Sequence, residues 1–248
     1  MDNRHELFAE MNRLVDAAGR ENIHLRVIGG LAVHFHSPLR QHEISREYAD
    51  IDFVVNKRER RKLENFFKQM GYESDRTFNL LNNDRKIFAH AGTGHKIDIF
   101  VGDFVMCHKL PMRNRLSAHP VTIPLAELFL SKTQIIELNR KDALDLIALL
   151  RDNEPGFDDD TINLNRIMRL CAHDWGLYKT TSINLARLEA ILYEEPPVLS
   201  KIDTETVFQR ISQIRRALHL MPTSLLWKAR DRVGTRLRWY AEVEEVDL

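Results

Sequence analysis

Apolar positions in the first half of the chain switch between a spacing of three or four residues and a spacing of two. Leu7, Phe8, Met11, Leu14 and Val15 share one face of a helix over residues 6–19, the pattern of a helix packed on a core. Leu25, Val27 and Ile28 predict a short buried strand, broken at Gly29-Gly30 and followed by Leu31, Ala32, Val33 and Phe35 at helical spacing. Ile51, Phe53 and Val55 then alternate as on a strand with one buried face. A highly charged helix over 58–70 turns Leu63, Phe66 and Phe67 inward and ends at Gly71. Residues 72–81 predict another short strand, and 86–101 a hairpin turning at Gly92-Thr93-Gly94. This order predicts an α/β (α+β) fold, a mixed sheet with flanking helices.

From Pro124 onward the spacing is helical. Helices are expected over 125–137 and 141–150, with a stop at Glu154-Pro155-Gly156. Further helices are expected near 161–173, 182–193, 204–219 and 222–240, interrupted at Gly176, Pro196-Pro197 and Pro222. The segment from Pro111 to Pro124 is the natural junction. It separates a domain over 1–110 from a mainly helical domain over 111–248.

Composition narrows the function classes. The 248 residues suffice for one large domain or two modest ones, and 44% hydrophobic with 29% charged residues is ordinary for a globular protein. Lys+Arg and Asp+Glu balance at 36 each, so no global field steers a polyanion and nucleic-acid binding would need a local patch. Cys107 and Cys171 cannot form a disulfide framework, which points to a reducing setting. No apolar run reaches the length of a membrane span and Met1–Glu6 has no signal-peptide character, so a cytoplasmic location is expected.

The candidate chemistry lies in two stretches. A strand running through Gly29-Gly30 into a helix leaves backbone N–H groups converging on one point, with no Cβ to hold off a phosphate. The bland alternative is a simple turn. Asp50 and Asp52, two apart on a strand, share a face, and two such carboxylates are costly without a divalent cation. Asp98, alternating with Ile97, Ile99 and Val101, supplies a third acid on a strand that could neighbour the first.

Paired glycines, a gap, Asp-hydrophobic-Asp and a lone later Asp resemble the nucleotidyltransferase superfamily that includes DNA polymerase beta. Val27 to Val33, with Arg46 four residues before Asp50, is similar to minimal nucleotidyltransferases, the abortive-infection toxin type among them. Ile123 to Lys132 and Arg140 to Leu146 resemble that group's helical motifs. The resemblance implies transfer of a nucleotide monophosphate from an NTP to an acceptor hydroxyl, with pyrophosphate released. Asp50, Asp52 and Asp98 would hold Mg2+, or Mn2+, with Asp98 also taking the acceptor's proton. Gly29 and Gly30 would cradle the phosphates. The acceptor it permits is a small molecule, a protein side chain or a tRNA end, and an antitoxin partner follows if the chain is a toxin. Two departures stand out: Gly29-Gly30 replaces the frequent Gly-Ser, and the stretch from Gly30 to Asp50 is long, with 38–44 reading as an inserted loop. The competing classes are a catalytically inactive nucleotide- or RNA-binding module of the same fold and a plain phosphate-binding scaffold.

Other polar residues carry two readings each. Lys132 either contacts a triphosphate or snorkels from an apolar helix. Asp142 and Asp145 either join the site or make ordinary helix pairs such as Lys141–Asp145. Arg46 contacts phosphate, neutralises the acids or pairs with Glu43. His34 and His36, two apart on a helix, point to different faces and form no zinc site. Asp158-Asp159-Asp160 reads as a helix cap. Arg210, Arg215, Arg216, Lys228, Arg230, Arg232, Arg236 and Arg238 read as a solvated helix surface balanced by the tail Glu242 to Asp247, with RNA binding the alternative.

Overall fold

A computed structural model describes residues 3–37, 48–194 and 199–242. Helix α1 (Asn3–Arg20) precedes β1 (Arg26–Ile28) and α2 (Gly29–His36). Then come β2 (Asp50–Val55), α3 (Arg60–Gln69), β3 (Tyr72–Ser74), α4 (Arg76–Leu81), β4 (Arg85–His90) and β5 (Lys96–Val101). These strands form one mixed sheet in the order β1-β2-β5-β4-β3. Only β2 and β5 run parallel, and their register sets Asp50 opposite Lys96, Asp52 opposite Asp98 and Val55 opposite Val101. The buried positions of β2 and β5, among them Ile51, Phe53, Ile97 and Ile99, are closed over by Leu7, Met11 and Leu14 of α1 and Phe66 and Phe67 of α3 in one hydrophobic core.

The short hairpin β6 (Phe104–Val105) and β7 (Lys109–Leu110) leads to the segment that returns to the sheet. There Val27 N donates to Val121 O and Ile123 N to Val27 O, closing the outer side of β1. The helical half follows: α5 (Leu125–Thr133), α6 (Arg140–Asp152), β8 (Pro155–Gly156), β9 (Ile162–Asn163), α7 (Leu164–His173), α8 (Trp175–Glu194), α9 (Lys201–Leu220) and α10 (Leu225–Val233). Helix α5 is buried along its whole length, from Leu125 to Thr133, which is why its sequence shows little amphipathic contrast. No helix among the described residues is long and apolar enough to cross a membrane.

Local chemistry accounts for the departures from the sequence reading. The strand expected over 72–81 stops at Ser74, because Asp75 accepts a hydrogen bond from Phe78 N and caps α4 instead. Gly176 does not interrupt a helix: it lies in the first turn of α8, where a side chain would run into Trp239 O and His108. Helix α10 ends at Gly234 (φ +62°), short of the expected 240. Asp158-Asp159-Asp160 does not cap α7 either. Asn163 does, accepting from Arg166 N, while residues 162–163 pair with β8.

Asp159 belongs to an internal ion network instead. Glu127 on α5 is 0% exposed. It accepts hydrogen bonds from Arg115 Nε at 2.6 Å and Arg166 Nε at 2.7 Å, and Arg115 also reaches Asp159 at 2.6 Å. The Arg115 guanidinium holds Asp159 below the usual carboxylate range. The network joins the loop after β7, α5, the loop before β9 and α7. Removing one partner of a buried pair leaves the other charge uncompensated, at a cost of about 3–5 kcal/mol. Glu127→Ala should therefore lower the unfolding free energy by about that amount in urea titrations, whereas Arg169→Ala, elsewhere on α7, should change it by less than about 0.5 kcal/mol.

Candidate functional site

The site is built where β1 turns into α2 beside the parallel pair β2/β5. Residues at paired positions on adjacent strands present their side chains to the same face, so the Asp52–Asp98 register brings two carboxylates together. Asp50, two residues back, shares that face. The consequence is electrostatic. Asp52 is pushed well above the usual carboxylate range, first by removal from water and then by the charges of Asp50 and Asp98. Lys132 and Arg85 oppose the shift. Both cations therefore act on the acidic cluster from outside β2.

Gly29 opens α2 at φ +75°, a conformation costly for any residue with a side chain. A Cβ there would collide with Asp52 Oδ2. Glycine at this point thus lets the backbone lie directly against the carboxylate. Gly30 is buried in the following turn. The β1–β2 pairing sets Ile28 opposite Asp52, which fixes the glycine turn at the level of the acids.

Asp98 is 2% exposed, so its face of the sheet is closed to solvent. What closes it is Arg85, whose Nε donates to Oδ1 and Oδ2 at 2.9 Å each, while its second donor nitrogen, Nη2, also contacts Oδ2. The guanidinium lies 5.3 Å from the centre of the Phe100 ring. Sequence reasoning missed Arg85 by one residue, having started the hairpin at 86. Strand register is what identifies it: Ile87 sits opposite Asp98, and Arg85, two residues earlier, shares that face on the diagonal.

Lys132 is only 8% exposed and does not snorkel. Its Nζ lies 2.6 Å from Asp142 Oδ1 and 2.9 Å from Asp145 Oδ2, so the two acids of α6 converge on the same lysine. Asp142 is further held by Asn139, the cap of α6, at 3.1 Å. Arg46 lies outside the described residues, as does the stretch 38–44. His34 packs edge-on against Phe8 at 5.2 Å, while His36 turns the other way, 2.7 Å from Thr122 Oγ1 and beside His119. Burial pushes His36 down to about 4. The basic residues near the C-terminus are engaged locally in good part. Arg210 donates to Leu150 O and Arg151 O, Arg215 pairs with Glu189, Arg230 covers the Trp175 ring and Arg238 pairs with Glu242.

The donor set fits a hard divalent cation in one respect and resists it in another. Among the described residues, no group of three or more His, Cys, Asp and Glu side chains is arranged to hold a metal ion. Yet Mg2+ is commonly held by one or two carboxylates together with substrate phosphates, and the crowding that burdens Asp52 is relieved by such a cation. Asp50 and Asp52 therefore suit it, while Asp98 is already matched by Arg85.

Because Asp52 takes up its proton more readily folded than unfolded, its contribution to stability falls as pH rises from about 3.9, the unfolded carboxylate value, toward its raised folded value. Asp52→Asn removes that penalty. In EDTA the variant should melt above the parent, with a gap that widens with pH across that window, as read by thermal denaturation at successive pH values. A gap that does not change with pH would refute the crowding of the acids.

No protein-family model and no curated protein matches the chain. Among solved structures it is similar to the antibiotic-resistance factor ANT(2'')-Ia, with TM-score 0.42 and 12% identity over 77% of this chain and 96% of the other. It is also similar to an antigenic nucleotidyltransferase-like protein from Paracoccidioides brasiliensis, with TM-score 0.36 and 15% identity over 73% of this chain and 92% of that one. A third is the STING-associated CdnE c-di-GMP synthase from Capnocytophaga granulosa, with TM-score 0.31 and 11% identity over 88% and 81%.

Proposed function

We propose that the chain is a divalent-metal-dependent nucleotidyltransferase that moves a nucleotide monophosphate from an NTP to an acceptor hydroxyl and releases pyrophosphate. One observation carries the reading. Asp52 and Asp98 stand opposite each other on parallel strands, with Asp50 on the same face and the Gly29 backbone pressed against Asp52. Neither packing nor solvation rewards such crowding of acids, whereas binding of cations and phosphate does.

In this reading Asp50 and Asp52 hold Mg2+, or Mn2+. When bound, the metal neutralises charge on the transferred phosphate and on the leaving pyrophosphate. Gly29 and Gly30 let the phosphates approach the backbone where a side chain would exclude them. Lys132, steadied by Asp142 and Asp145, supplies a fixed positive charge beside Asp52. Arg85 orients Asp98, leaving the carboxylate lone pairs that the guanidinium does not use for the acceptor's proton or for the metal. The acceptor is a small molecule, a protein or an RNA, and toxin and resistance roles are both compatible with this chemistry.

A second reading has its own support. Arg85 already compensates Asp98, and Lys132 already joins Asp142 and Asp145, so the cluster holds together in part without a cation, as an inactive nucleotide-binding module would require. Labelled NTP incubated with Mg2+ and cell extract separates the two. The transferase moves label into one of the RNA, protein or small-molecule fractions. Asp50→Ala and Asp52→Asn should each reduce transfer by a factor of about 10² or more while the circular-dichroism spectrum is retained. Binding of NTP by the parent with no transfer to any fraction would favour the inactive module.

A further inference from the structure

The chain leaves β2 and β5 side by side at the end of the sheet away from the acids. The turns that follow, with Lys57 and Arg58 after β2 and Gly102 and Asp103 after β5, meet the loop 113–117 around a cavity of about 780 Å³. Val101, opposite Val55 at the strand ends, forms part of its wall. Three residues of strand, roughly 10 Å, separate Asp52 and Asp98 from that end of the sheet, so this cavity is distinct from the acidic site.

Its charge is lopsided. Lys57, Arg58, Lys109 and Arg113 line it against two acids, Asp84 and Asp103. Asp103 meets Lys109 at 2.7 Å, and Asp84 meets Lys57 at a loose 3.7 Å. Arg58 approaches Glu59 at 3.8 Å, but that carboxylate already accepts from His24 N at 3.0 Å and from Asn56 at 3.3 Å. Arg113 has no hydrogen bond or ion pair among the described residues. Two guanidiniums therefore face the cavity in excess of its acids.

The same loop carries neutral donors. Asn114 adopts a left-handed backbone (φ +61°) immediately after Arg113 and lines the cavity with Ser117. Val105, 51% exposed, adds apolar surface beside these polar groups, above buried Leu116 and Val101. Planar guanidiniums match phosphate oxygens two at a time, and the volume falls within the roughly 300–1,000 Å³ usual for small-ligand sites. We infer that this cavity is a second ligand site, for a phosphomonoester of nucleotide size. Arg58 and Arg113 take the phosphate, and Val105 meets the apolar part of the ligand. The inference stands apart from the transfer chemistry at the acids.

Titration calorimetry of the full chain with 5′-AMP in EDTA tests it, with inorganic phosphate as a second titrant. The parent should bind one AMP, and bind it more tightly than phosphate. The double variant R58A/R113A, at exposed positions and checked by its melting curve, should bind AMP at least tenfold more weakly. Asp52→Asn should leave AMP binding unchanged. Three results would overturn the inference: no heat with millimolar AMP, equal affinity in R58A/R113A, or binding lost in Asp52→Asn but kept in R58A/R113A.

Discussion

Like charges set opposite each other on neighbouring strands are the constraint around which this molecule is arranged. The parallel register of β2 and β5 could have placed any two side chains together, and it places Asp52 against Asp98 with Asp50 close by. Such a cluster persists only where the surroundings answer its charge. Arg85 answers it from β4 inside the sheet, and Lys132 answers it from α5 in the helical half. Lys132 is itself held by α6 through Asp142 and Asp145. The two halves of the chain are thus linked by electrostatics at the point where their chemistry is proposed, in addition to the apolar core they share.

A second buried ion network follows the same rule with a different outcome. Glu127 meets two guanidiniums, Arg115 and Arg166, and a further acid, Asp159, shares Arg115 and completes the balance. Nothing is left over, which is the mark of a group whose work is to fix loops in place. The acids of the sheet are answered less completely: Asp52 remains pushed upward after Lys132 and Arg85 have acted. The contrast separates a structural charge cluster from one poised to receive ligands.

The features legible in the sequence were those written in local periodicity. Alternation at Ile51, Phe53 and Val55 and at Ile97 and Ile99 placed the acids on strands, and the glycine pair marked the turn. Features depending on a neighbour distant in sequence were not legible. Arg85 is identified by strand register rather than by its own surroundings, and Asp159 looked like a helix cap because Arg115, its partner, is 44 residues away. Asp75 shows the opposite failure: a local cap converts an expected strand into a short helix, and Leu80 and Leu81 at the end of that stretch are exposed. Lys132 sits on an apolar helix whose every face is covered by elements remote in the chain, which its own neighbours in sequence do not show.

The closure of β1 by Val121 and Ile123 has a consequence for how this protein meets other chains. A bare strand margin invites an extended peptide, or a misfolded copy, to continue the ladder. On this side the backbone donor and acceptor of Val27 are already taken, and the opposite margin, β3, is only three residues long. The sheet therefore offers little purchase for strand addition. That protects it from edge-to-edge aggregation and leaves selectivity among partners to side chains on its helices and loops.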